Sequence, residues 1–206
     1  TTGDIRDTWK SVSDIAFKRQ DVWAGYRRPG AWPDADMMVL GCVGWGKYEH
    51  PINPTRLTPD EQYSHMTMWC MLSSPLILGC DLTRADDFLL SLLTNDEVIA
   101  VNQDELGLSP AKRYGDGTYA TYIKCLADGG IAVAMFNLSD EPKTIGFIPL
   151  SLGLMEDQVV RDLWRQEDVA KVAFRERWEC EVAPHGVRFL KLSPGSINGK
   201  PLGKYR

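Results

Sequence analysis

Two groups stand out among the acidic residues of the first forty positions, Asp4 and the pair Asp34/Asp36. Hydrolysis of a glycosidic bond needs two carboxyl groups, because one protonates the leaving oxygen while the other attacks the anomeric carbon or activates water. Trp32 and Trp45 can stack on the apolar face of a sugar ring. Taken singly, each acid is more typical of a helix cap or a surface charge, and Trp45 is more typical of a packing residue. The residue types therefore allow glycoside chemistry without establishing it.

Helix signals in the first half of the chain show which elements would position these acids. Thr58 precedes a proline and, three residues on, a glutamate, which is the pattern of a capping box at a helix start. The run Ser73-Ser74-Pro75 is predicted to end that helix. Asp7 is predicted to cap an earlier helix, and residues 86–93 and 95–101 predict two shorter ones.

A short apolar run at residues 76–80 is typical of a strand that is buried on both faces. Asp81 follows this run, and carboxylates recur where predicted strands give way to loops. In a parallel α/β barrel that edge of the sheet carries the active site. The same periodicity would suit an open doubly wound sheet, so both folds stay open at this point. Asp81 itself is interpreted as structural.

The composition changes near Gly107, where short alternating segments replace the helical patterns. Asp116-Gly117 and Asp128-Gly129 predict hairpin turns between them. Five strands are predicted, at residues 118–126, 131–138, 144–148, 159–164 and 187–192. So many short strands in under a hundred residues are typical of an antiparallel sandwich.

Composition and charge exclude several classes of protein. At 44% hydrophobic and 25% charged residues, the chain is globular. Its net charge of −5 and the lack of a basic stripe argue against a nucleic-acid surface. No apolar run approaches the roughly 20 residues that span a membrane. The five cysteines lack any C-x-x-C spacing and the three histidines are scattered, so we predict unpaired thiols and no zinc site.

Five stretches, taken in chain order, carry a family resemblance. They are TTGDIRDTW (1–9), PGAWPDADM (29–37), YSHMTMW (63–69), SPLILGCD (74–81) and NDEVIAVNQD (95–104). Together they resemble glycoside hydrolase family 27, the family of α-galactosidases and α-N-acetylgalactosaminidases. The match spans about residues 1 to 107 and covers the following strands weakly.

The resemblance implies a retaining enzyme with a (β/α)8 barrel followed by an antiparallel β domain. Carried over residue by residue, it assigns the general acid/base to Asp4 and an acid of the sugar pocket close to it to Asp36. Met37 matches the apolar neighbour of that acid, and Trp32 matches the aromatic residue of the same motif. The resemblance also implies a secreted or periplasmic protein, and it implies no metal and no organic cofactor.

The chain departs from the family pattern at several points. Pro33 stands where the family has Asn, and Ala35 where it has Pro. The loop at residues 45–56 is longer than in the best-known members and can reshape the outer pocket. No residue here matches the family's nucleophile, although retaining geometry needs two carboxyl groups about 5–5.5 Å apart.

We therefore interpret the chain as the C-terminal portion of a retaining α-galactosidase that carries the acid/base but not the nucleophile. Residues 1–106 are predicted to be the C-terminal part of the (β/α)8 catalytic barrel, residues 107–194 an antiparallel β-sandwich and residues 195–206 a C-terminal tail. The expected partners are an α-galactoside and the missing N-terminal part of the barrel, and the barrel edges left open would allow a homo-oligomer.

We expect the chain alone not to hydrolyse α-galactosides. Two alternatives stay open: a non-catalytic carbohydrate-binding or scaffold fragment in which the β domain is the working part, and an α-N-acetylgalactosaminidase.

Overall fold

The computed structural model describes residues 3–18, 27–44, 46, 48 and 50–195. Trp45 and all of the predicted tail except Gly195 lie outside the described residues. In the part that is described, no helix has the length and apolar content needed to cross a membrane.

The first half of the chain contributes helices and short extended segments. The described α-helices are α1 (Trp9–Lys18), α2 (Pro59–Leu72), α3 (Asp87–Leu93) and α4 (Asp96–Asn102). Two short strands, β1 (Cys42–Val43) and β2 (Asn53–Pro54), pair as an antiparallel ribbon.

Helix α2 begins and ends where the sequence predicts. The Thr58 side chain accepts a hydrogen bond from the Glu61 N–H, and the Glu61 carboxylate accepts the Thr58 N–H at 2.8 Å. This reciprocal pair confirms the capping box. Ser73 ends the helix in the left-handed conformation, with a φ of 49°.

The predicted cap of helix α1 is wrong. Thr8 takes that role, because its Oγ1 accepts the Ser11 N–H at 3.3 Å. The Asp7 carboxylate instead accepts the backbone N–H of Arg56 at 3.0 Å and its guanidinium at 2.7 Å. The guanidinium adds a positive charge and further hydrogen bonds that a single helix-cap N–H does not offer the Asp7 carboxylate.

Two extended segments run parallel beneath the helices. Met38 donates its N–H to the Ile77 carbonyl at 2.8 Å, and Gly79 donates its N–H to the Met38 carbonyl at 3.0 Å. The prediction that residues 76–80 are buried on both faces is wrong, since Ile77 is 49% exposed and Leu78 37% exposed. Among the described residues, this segment pairs only with the stretch from residue 38 to 43, which leaves its far side uncovered.

The second half of the chain forms two antiparallel sheets. Its strands are β3 (Ala111–Gly115), β4 (Tyr119–Cys125), β5 (Ile131–Asn137), β6 (Lys143–Phe147), β7 (Gln158–Asp162), β8 (Glu167–Val172), β9 (Trp178–Val182) and β10 (Val187–Pro194). A six-stranded sheet has the order β3-β4-β5-β10-β7-β8, and β6 pairs with β9 in a second sheet. The five predicted strands and both predicted hairpin turns are confirmed, with Gly117 and Gly129 at φ values of 95° and 85°.

The two halves of the chain share one hydrophobic cluster, and a second cluster fills the sandwich. Every residue of β5 is buried. Ala132, Ala134 and Phe136 pack in the cluster that contains Trp69 of α2, whereas Val133 and Met135 fill the interior of the sandwich. Strand β5 therefore joins the helical half to the sandwich through its two faces. The proposed domain limit at residues 106/107 stays a prediction.

Candidate active site

A cleft of about 700 Å³ opens at the end of the two parallel segments. It is lined by residues 4–7, by parts of the stretches 37–44 and 50–56, and by Gly79. Met37 and Val39 both face it, as expected for alternate residues of an extended segment. A side chain at Gly79 would put its Cβ 3.1 Å from the Met37 Cβ, so glycine keeps this wall open.

Asp4 is exposed on this cleft, and its neighbour Ile5 is buried. The Ile5 N–H donates to Asp36 Oδ2 at 2.8 Å, and the Met37 N–H donates to Asp36 Oδ1 at 2.7 Å. The Asp36 carboxylate thus ties the peptide that follows Asp4 to the parallel segment. Asp36 is not among the residues that line the cleft. It is linked to Asp4 through its hydrogen bond to the Ile5 N–H, the backbone group that follows Asp4.

The backbone of Asp36 is strained. Its φ is 76°, a conformation that costs a non-glycine residue about 1–3 kcal/mol. Two side chains hold it there: Asp34 Oδ1 accepts the Asp36 N–H at 2.8 Å, and Trp69 Nε1 donates to the Asp36 carbonyl at 2.8 Å. Such strain persists only where the surroundings over-determine the conformation, and it clusters at functional sites.

A second carboxylate, Asp7, lines the same cleft but is engaged by Arg56. Burial raises the pKa of Asp7, but the hydrogen bonds and the positive charge of Arg56 outweigh burial and leave the pKa below its ordinary value. Asp7 therefore stays ionised at neutral pH and cannot serve as a proton donor there. The pair instead fixes the loop before α2 against the segment that carries Asp4.

Trp32 lies away from this cleft. It lines a separate cleft of about 280 Å³ with Ser73 and Pro75, near the start of the segment 76–80, whereas the Asp4 cleft lies at its end. Its ring packs against Gly107, where an added Cβ would lie 2.5 Å from the indole. The structure thus brings Met37 and Asp4 together with Asp36 beside them, and it places Trp32 in a different cleft.

The sequence analysis did not identify three polar residues of the cleft, because they belong to no recognisable motif: His50, Asn53 and Arg56. Their only signal in the sequence is their place in a polar, proline-rich loop. The interpretation of Asp81 as structural agrees with its contacts, since Oδ1 accepts the Thr83 N–H at 3.0 Å and caps a short 3₁₀ turn.

The described residues include no cluster of three or more His, Cys, Asp or Glu side chains that could hold a metal ion. All five cysteines lie within the described residues and are free thiols, as predicted.

Comparison with known proteins decides the family. Residues 1–104 match the model of the family described as alpha galactosidase A, and residues 116–192 match the alpha galactosidase C-terminal beta sandwich domain. The chain belongs to glycoside hydrolase family 27, the α-galactosidase family. The predicted fold, part of a (β/α)8 barrel followed by an antiparallel β-sandwich, is confirmed.

Relatives of this chain are glycoside hydrolases. It is 35% identical to alpha-galactosidase 2 of Arabidopsis thaliana over 195 aligned residues. The aligned region covers 94% of this chain and 46% of that protein. The chain spans about half the length of the curated relatives it matches.

Two solved structures show the same fold. One is a putative alpha-N-acetylgalactosaminidase from Bacillus halodurans, with a TM-score of 0.85 and 33% identity over 94% of this chain and 46% of that one. The other is a β-L-arabinopyranosidase of family 27 from Geobacillus stearothermophilus, with a TM-score of 0.86 and 35% identity over 97% of this chain and 45% of that one.

Proposed function

We propose that this chain supplies the general acid/base, Asp4, of a retaining α-galactosidase. The observation that carries the proposal is the placement of Asp4: an exposed carboxylate on a cleft of about 700 Å³, with the next peptide fixed by Asp36. A proton donor must be held at a defined position while remaining accessible to the substrate, and this arrangement meets both needs.

In the proposed mechanism, Asp4 protonates the glycosidic oxygen while a second carboxylate attacks the anomeric carbon and forms a glycosyl-enzyme. Asp4 then removes a proton from the water that hydrolyses this intermediate. Among the described residues that line the cleft, the other carboxylate is Asp7, and Arg56 holds it in an ion pair. In this proposal the second carboxylate therefore comes from the part of the full-length protein outside this chain.

The other cleft residues take supporting roles in this proposal. Met37 offers apolar surface to the sugar that meets Asp4, and Asp36 fixes the backbone on both sides of that contact. The Asp7–Arg56 pair holds the wall formed by the loop at residues 50–56. Trp32 is left out of the substrate site because it lines a different cleft.

We assign an α-galactoside as the substrate because the Arabidopsis thaliana relative and the two matching family models carry the name of α-galactosidases. The names of the structural neighbours define the competing substrates: α-N-acetylgalactosaminides and β-L-arabinopyranosides. The test compares kcat/KM of the full-length protein for three substrates: the nitrophenyl α-galactoside, α-N-acetylgalactosaminide and β-L-arabinopyranoside. A preference for either competitor would contradict our assignment.

The acid/base role is tested by Asp4→Asn in the full-length protein. We expect turnover of an α-galactoside to fall by about 10²–10⁴-fold, the usual contribution of a positioned acid/base. The matched control is Asp14→Asn, since Asp14 lies on the outer side of α1 and pairs with Lys10 and Lys18. A normal rate for Asp4→Asn would remove Asp4 from the mechanism.

A further inference from the structure

Lys124, on strand β4, is a buried cation where the sandwich meets the helices. Its residue is 1% exposed. The Nζ donates to Ser73 Oγ at 2.7 Å and to the Val101 carbonyl at 2.6 Å. Ser73 is the residue at which α2 ends, and Val101 lies in the last turn of α4. A cation at the C-terminal end of a helix interacts favourably with the helix dipole, and Lys124 serves two helices at once.

The hydrogen bonds continue from this point towards the candidate active site. Ser74, next to Ser73, accepts the Ala35 N–H on its Oγ at 3.0 Å. Asn102 Nδ2 donates to the Ser74 carbonyl at 2.9 Å and so holds Ser74 to the end of α4. Ala35 is buried and directly precedes Asp36, whose carboxylate accepts the Ile5 N–H beside Asp4.

The position of Lys124 is costly for the fold. Its Nζ bonds two neutral oxygens, and burial lowers the pKa of Lys124 to about 8. A buried charge of this kind is weak evidence for a contribution to stability, since an apolar residue of similar size often serves as well or better. What an apolar residue cannot do is hold Ser73 and the end of α4 in one arrangement.

We propose that Lys124 is a positioning residue through which the β-sandwich sets the geometry of the Asp4 site. The route runs from the Lys124 ammonium to Ser73 and Ser74, from Ser74 Oγ to the Ala35 N–H, and from Asp36 to the Ile5 N–H. The effect of this route on turnover rests on the proposed function of Asp4, whereas its effect on the backbone at residues 5 and 35 does not.

The experiment compares three variants of the full-length protein: Lys124→Met, Ser74→Ala and the double variant. Lys191→Met is the matched control, because Lys191 lies in the same sheet and pairs with Asp128 at the surface. Two quantities are measured for each: hydrogen exchange of the Ile5 and Ala35 amides, and kcat and KM for a nitrophenyl α-galactoside.

We expect both single variants to speed exchange at Ile5 and Ala35 by tenfold or more, while the amides that pair β4 with β5 stay protected. We expect kcat to fall by roughly tenfold with KM nearly unchanged, since a small displacement of a catalytic group costs rate rather than binding. The double variant should be no slower than the slower single variant, because both changes break one route.

Unchanged exchange at Ile5 and Ala35 in Lys124→Met would overturn the route, whatever Ser74→Ala shows. Additive losses of kcat in the double variant would overturn it as well, because they would show two independent effects. Faster exchange with unchanged kcat would leave the route standing and would contradict the proposed function of Asp4. If Lys124→Met fails to fold, Ser74→Ala still tests the step from Ser74 Oγ to the Ala35 N–H.

Discussion

His65 is predicted to make the protein lose stability on acidification. It is fully buried on α2, where its Nε2 accepts the Val39 N–H at 3.1 Å. Its ring meets Trp69 edge-on, with the ring centroids 4.1 Å apart. Burial lowers the pKa of His65 from the ordinary 6.5 to about 3. The neutral ring therefore holds Val39, which lines the Asp4 cleft.

The sign of the effect follows from the direction of this shift. The unfolded chain binds a proton at His65 below pH 6.5, whereas the folded chain binds it only near pH 3. The stability linked to His65 is thus fully present above pH 6.5 and is lost as the pH falls towards 3. Between pH 7 and pH 4.5 the loss amounts to about 2.5 kcal/mol, from 1.36 kcal/mol for each pH unit well inside this window.

The assay is urea unfolding, followed by tryptophan fluorescence at several pH values between 7 and 4.5. His65→Gln keeps an acceptor for the Val39 N–H and does not titrate. Between pH 7 and pH 4.5 the free energy of unfolding of this variant should therefore fall by about 2.5 kcal/mol less than that of the wild type. Parallel curves for His65→Gln and the wild type would refute the reasoning.

Three further predictions concern local features. Thr58→Ala removes the acceptor at the start of α2 and should lower the free energy of unfolding by about 1 kcal/mol in a denaturant titration. Gly107→Ala should lower the melting temperature more than Gly117→Ala, since both have positive φ but only at Gly107 would the new Cβ collide, 2.5 Å from an indole ring; equal shifts would contradict this. Arg56→Met should raise the pKa of Asp7 relative to the wild type, because the charge and the hydrogen bonds of the guanidinium no longer oppose burial; NMR titration of the Asp7 carboxyl group measures the shift, and an unchanged pKa would argue against the pair.

Features that depend on neighbouring residues in the chain were predictable. The capping box at Thr58 and the hairpin turns at Gly117 and Gly129 each lie within a few residues, so local hydrogen bonding decides them. The grouping of Asp4 with Met37 came from the family resemblance rather than from periodicity.

Features that depend on distant contacts were not predictable. Asp7 and Arg56 are 49 positions apart, and no local rule shows that a guanidinium will replace the helix N–H. Strands β3, β8 and β9 were missed, and β3 and β8 form the two edges of the six-stranded sheet. Charged residues of the kind found at Lys112 and Glu167 are common on sheet edges and weaken the alternation that marks a strand.

The role of Trp32 in substrate binding, carried over by motif, stays a prediction. Trp32 stands four positions before Asp36 but lines a different cleft, with Ser73 and Pro75. The homo-oligomer remains a prediction.

The most direct test of the acid/base role compares leaving groups in Asp4→Ala of the full-length protein. A general acid matters most when the departing oxygen is strongly basic, so we expect kcat/KM for an alkyl α-galactoside to fall by about 10³-fold or more. For a dinitrophenyl α-galactoside, whose leaving group needs little protonation, the fall should be at least tenfold smaller. Equal losses for both substrates would contradict the assignment of Asp4 as the general acid.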